Sequence, residues 1–135
     1  MSWVGNSEAI SEASKGMNEH NDCTVRAWCN VFDCDYALAH AYLRRHGRRD
    51  RKGMLPRQIK AALGACRKAT IRIGPYTRTQ YITVSKFVKK HPVGRYYVWN
   101  RNHAFCIKDG VVHDYQLGPR RQITFAARVY LEGEL

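Results

Sequence analysis

The apolar residues of this chain change their period halfway along, and that change constrains the fold more than any other feature. In the first half they recur at helical spacing. Val25, Trp28, Cys29 and Phe32 stand at i, i+3, i+4 and i+7, the stripe of an amphipathic helix over roughly 23–32 with Asp22 as its N-cap. Asp35 caps a second helix, roughly 36–46, whose apolar face would be Leu38, Ala39, Tyr42 and Leu43, with Gly47 as the stop. A third, roughly 55–63, carries Pro56 in its first turn, where a missing N–H does no harm, and Leu55, Ile59, Ala62 and Leu63 as its stripe. Then the period falls to two. Ala69–Ile73 alternates, Thr83 caps a short helix bearing Val84, Phe87 and Val88, and His91-Pro92 ends it. Strand-like runs follow at Gly94–Asn100, His103–Lys108, Val111–Leu117 and Arg121–Leu131. Helices first and an antiparallel sheet second is an α+β layout.

The length of 135 residues suits one domain with one sizeable core. Residues 1–20, rich in Ser, Glu, Asn and Gly, read as an arm or short helix that Trp3 could dock, with the domain proper over 21–135. No apolar run approaches a membrane span, and the N-terminus lacks the basic-then-apolar layout of a signal peptide. The expectation is a cytoplasmic protein with reduced thiols. Its five cysteines are odd in number and contain no C-x-x-C pair, so neither a disulfide framework nor a structural zinc site is expected. Apart from Cys23 they read as small buried hydrophobes.

Charge adds a second theme. Twenty-three basic against 11 acidic side chains give a formal net charge of +12, which attracts polyanions or acidic surfaces. Arg44, Arg45, Arg48, Arg49, Arg51 and Lys52 crowd into one stretch. Such a run is commonly a solvated loop, but with Arg120 and Arg121 it is also a candidate grip on nucleic acid or an acidic protein.

Cys23 follows the N-cap of its helix, where backbone N–H groups lack partners and the dipole favours negative charge. Both effects favour the thiolate, which is the nucleophile. Its partner can be sought by arithmetic. With Asp109-Gly110 as a two-residue hairpin loop, Lys108 pairs with Val111, Phe105 with Asp114 and His103 with Gln116. His103 and Asp114 are then diagonal neighbours on one face, while Cys106 and His113 share the other. The arithmetic selects His103 over His113 as the histidine that a carboxylate orients, as acyl-transfer chemistry requires. A His and an Asp on neighbouring strands are also common as a plain surface pair.

Asn21-Asp22-Cys23-Thr24-Val25-Arg26-Ala27 with Asp35-Tyr36, and later Thr83–Phe87, His103-Ala104-Phe105 and Asp109-Gly110-Val111-Val112-His113-Asp114, resemble the small papain-like cysteine peptidases encoded in bacteriophage genomes. The resemblance spans roughly residues 18–130 in the same order. It implies a papain-like fold with the nucleophile at a helix N-terminus packed on a sheet, a Cys23–His103–Asp114 triad, a polypeptide or other amide substrate, and no cofactor or metal. It also implies a side-chain amide shortly upstream of the cysteine for the oxyanion, usually glutamine. Here the chain offers only Asn18 and Asn21, a departure from the family pattern. Three readings compete: a cysteine peptidase or isopeptidase, a binding module working through its basic surface, and a cell-wall amidase. The missing export signal counts against the last.

Overall fold

A computed structural model of the chain describes residues 2–66, 69–77, 79, 81–100, 103–114 and 121–131. Its elements run β1 (Ser2–Val4), α1 (Glu8–Gly16), α2 (Cys23–Phe32), α3 (Tyr36–Arg45), α4 (Pro56–Ala65), β2 (Ala69–Ile73), β3 (Ile82–Thr83), α5 (Val84–Lys90), β4 (Arg95–Trp99), β5 (Ala104–Lys108), β6 (Val111–His113), β7 (Gln122–Ile123) and β8 (Phe125–Val129). The α+β layout holds. Six strands form one sheet in the order β1-β6-β5-β4-β8-β2, and β3 pairs with β7 beside it. Among the described residues every pairing in the large sheet is antiparallel except β1 on β6.

Both faces of the sheet are covered, which explains why β4 reads Tyr-Tyr-Val-Trp without alternation. Tyr97, Trp99, Cys106, Ala127 and Val129 pack with α2, α3 and α4. Tyr96, Val98, Phe105, Ile107 and Val112 pack with Val84 and Phe87 of α5. α2 is the central helix and buries seven of its ten residues, more than the one stripe its sequence suggested. Trp28 stacks on Tyr42 at 5.1 Å and meets Tyr97 edge-on at 5.7 Å.

Several local expectations stand. The hairpin register is Lys108↔Val111, Ile107↔Val112 and Cys106↔His113. Asp109 and Gly110 have φ of 48° and 77°, the left-handed pair that such a tight loop needs. Thr83 accepts the Lys86 N–H at 3.2 Å as the cap of α5. Gly47 follows α3 at φ +102°, and a Cβ there would come within 2.5 Å of Gln58 Nε2.

Others need correction. α3 buries Tyr36, Ala39, His40 and Leu43, whereas Leu38 is 65% exposed. The stripe has the same helical spacing, but a paired histidine takes the place assigned to leucine. Asp22 and Asp35 occupy N-cap positions without a side-chain cap bond. The final strand-like run splits at Thr124, which donates its N–H to Trp99 O at 3.1 Å between β7 and β8. The first 20 residues, read as an arm or short helix, do carry a short helix, α1, and among the described residues they also add a strand. β1 adds to the sheet beside β6, and α1 is tied inward by Ser14, whose Oγ donates to Asp22 at 2.6 Å. The expected pairing partner Gln116, residues 115–117 of the expected strand, Arg120 and the Trp3 side chain lie outside the described parts. No helix among the described residues is long and apolar enough to cross a membrane.

Candidate active site

Cys23 is the first residue of α2 and is half-buried. Its backbone N–H has no acceptor within the helix, because the carbonyl it would need precedes the first turn. The helix start is fixed from three sides. The Asp22 carboxylate accepts from Ser14 Oγ at 2.6 Å, Tyr36 Oη at 2.7 Å and Arg26 Nε at 3.1 Å. Burial alone would raise the Asp22 pKa, but those hydrogen bonds and the Arg26 charge outweigh it and hold the carboxyl below its usual range. Beneath the first turn, the fully buried Tyr97 donates its hydroxyl to Thr24 O at 2.8 Å.

The segment before the helix is anchored by Glu19. Its carboxylate accepts from both terminal nitrogens of Arg48 at 3.0 Å and from the Arg51 N–H at 2.8 Å, and lies 2.6 Å from His40 Nε2. Burial opposes ionisation, but these partners together lower its pKa to about 2. Glu19, His40 and Asp50 present ligand atoms within 4.8 Å of one another. The Arg48 guanidinium lies against both Glu19 oxygens, so the cluster is an ion-pair network and does not suit a cation.

The sheet supplies the histidine and its carboxylate. His103 precedes β5, in the connection from β4 that the Asn100 N–H closes onto His103 O at 2.9 Å. Its Nε2 lies 2.6 Å from Asp114 Oδ2, with 8% of the imidazole side chain and 2% of the carboxylate side chain exposed. Asp114 is held in turn by β1, since its N–H donates to Val4 O at 2.9 Å. Cys23 lines the same cleft as the ring, close enough for its sulfur to support the imidazolium charge. With Nε2 on the carboxylate, Nδ1 is the nitrogen left for sulfur. Burial disfavours the imidazolium, but the hydrogen bonds to Asp114 and Cys23 and their attraction prevail, and the pKa rises to about 9. The Phe105 ring stacks beside it at 6.0 Å.

The other thiols and imidazoles are poorly placed. Burial pushes the Cys106 thiol to about 12, and a hydrogen bond donated by Cys29 to Cys34, together with burial, raises Cys29. His113 faces Cys106 across the hairpin, and burial lowers its pKa.

Cys23 and His103 open on a cleft of about 210 Å³, walled by Met54, Pro56, Ile59 and Trp99, with Thr24 and Asn100 as polar lining. Neither Asn18 nor Asn21 is among the lining residues. Asn18 is exposed, and the Asn21 amide donates to Arg51 O at 3.3 Å. Both adopt φ of 52°, so they serve the turn ahead of the helix. Asn100 does line the cleft, a residue not singled out from the sequence. Its place three residues before His103 was the available signal. The basic run also divides. Arg44, Arg45, Arg49, Arg51 and Lys52 are exposed, but Arg48 is 3% exposed and bound to Glu19, which removes it from any polyanion-binding surface.

No family model, curated protein or solved structure matches this chain. The functional reading therefore rests on the residues and their geometry.

Proposed function

We propose that this chain is a papain-like thiol hydrolase that cleaves an amide bond through Cys23, His103 and Asp114. The observation that carries the reading is His103, its Nε2 2.6 Å from the Asp114 carboxylate, sharing one cleft with Cys23 at the start of α2. A binding module working through its basic surface alone would need no thiol at a carboxylate-oriented histidine.

The chemistry follows from the arrangement. Cys23 Sγ, its proton passed to His103, attacks the carbonyl carbon of a peptide or isopeptide bond, and the C=O electron pair moves onto oxygen. The Cys23 N–H at the open end of α2 is the available donor to that oxyanion. The pair returns, the C–N bond breaks, and His103 gives its proton to the departing amine. A water then gives a proton to His103 while its oxygen attacks the thioester. The C–S bond breaks, the acid leaves, and His103 returns its proton to Cys23 Sγ. Asp114 accepts the Nε2–H throughout, fixing the tautomer and supporting the imidazolium. Neither metal nor organic cofactor enters these steps.

The test is alkylation by a small thiol electrophile across neutral and alkaline pH, read by intact mass on wild type, Cys23→Ala and His103→Ala. Fast labelling confined to Cys23, slowed by His103→Ala, is the expected outcome. Labelling of Cys23 no faster than a free cysteine, or persisting at Cys66 or Cys106 in Cys23→Ala, would sink the proposal.

A further inference from the structure

The catalytic cleft meets a second depression at Gly53, which lines both. This neighbour is an open trough of about 750 Å³ between the end of α3 and the start of α4. Arg44, Arg49 and Lys52 line it, and all three are exposed. Arg48 is part of the wall, but its terminal nitrogens are held by Glu19. The one carboxylate in the lining, Asp50, sits 3.5 Å from His40 Nε2. The trough is thus a basic strip leading away from the nucleophile. None of its lining residues is aromatic, so it offers charge without the stacking faces that single-stranded nucleic acids use. A chain with a carbonyl at Cys23 that leaves the cleft over Gly53 enters the trough directly.

We infer that the substrate is an acidic peptide segment whose Asp or Glu side chains lie in the trough against Arg44, Arg49 and Lys52. The inference rests on the hydrolase reading and names the substrate class for that site. Taken as a sphere, the cleft of about 210 Å³ is about 7 Å across, or about two extended residues. The carboxylates therefore stand about two to four residues from the scissile bond, on the side that crosses Gly53. The net charge of +12 attracts the same substrates from a distance.

The experiment uses fluorescent peptides identical except for Asp/Glu or Asn/Gln flanking a central apolar pair. Their binding to Cys23→Ala is read by anisotropy at low and high salt, with a single-stranded oligonucleotide as competitor. The acidic peptide should bind about tenfold more tightly than its amide counterpart at low salt, as three exposed ion pairs would give. Salt should erase the difference. So should the combined Arg44→Gln, Arg49→Gln, Lys52→Gln variant, whose folding thermal melting checks. Equal binding of the two peptides, or a preference that survives the triple substitution, overturns the inference. If the oligonucleotide binds more tightly and displaces the peptide, the trough is a nucleic-acid surface and the inference falls. Alkylation of the wild type separates the two failures. A reactive Cys23 without peptide discrimination refutes only the acidic substrate, whereas an inert Cys23 removes the hydrolase reading and this inference with it.

Discussion

Asp114→Asn removes one charge from the candidate site and leaves its shape. Asparagine Oδ1 can still accept the Nε2–H of His103, so the ring keeps its tautomer and place. What goes is the attraction that, with the two hydrogen bonds, lifts His103 from 6.5 to about 9 against the opposing effect of burial. That rise corresponds to about 3 kcal/mol of preference for the imidazolium in the folded state. The sign of the linkage follows from a raised pKa. The stabilisation is full below about pH 6.5, where the unfolded chain also holds the proton, and is lost as pH rises through about 9. Two assays read this. NMR titration of His103 should show its pKa falling below about 9 in the variant. Urea unfolding should show wild type about 3 kcal/mol more stable at pH 6 than at pH 10 through this group, a difference that Asp114→Asn should reduce. Alkylation of Cys23 should slow in parallel. If His103 still titrates near 9 in Asp114→Asn, the carboxylate does not support the imidazolium and the argument for the triad fails.

Two further outcomes are expected. Glu19→Gln strands the Arg48 charge, whose side chain is 1% exposed, and should cost about 3 kcal/mol in urea unfolding at neutral pH. Because Glu19 is depressed to about 2, its contribution is present above about pH 4.5 and fades as pH falls towards 2, so the two proteins should converge in acid. Tyr97→Phe removes the buried donor to Thr24 O and should cost about 1 kcal/mol by thermal or urea unfolding, with α5 packing on the opposite sheet face unaffected. A neutral result would mean that the hydroxyl does not pin the first turn of α2.

The sequence by itself determined what is encoded within a few residues. The start of α2 at Cys23, the Thr83 cap, the Gly47 stop and the Asp109-Gly110 turn were all legible, because caps and tight turns are chosen by local backbone sterics and hydrogen bonds. The turn fixed a register, and the register selected His103 and Asp114 as partners. It could not bring them to Cys23. On alternation alone His103 shares the face of Phe105, which packs towards α5, while Cys106 faces α2. His103 lies in the connection before β5, outside the alternation, and there it shares a cleft with Cys23. The remaining assignments also belong to tertiary structure. The run from Arg44 to Lys52 gives no local sign that Arg48 alone is buried, since that depends on Glu19, 29 residues away. Asp22 reads as a cap, yet Ser14, Tyr36 and Arg26 draw its carboxylate elsewhere. β1 carries too short a pattern to announce itself, and its parallel pairing with β6, which holds the Asp114 backbone, joins opposite ends of the chain. Local signals set where elements begin and turn. Which charges are buried, and which face meets Cys23, was decided by contacts between segments far apart in the chain.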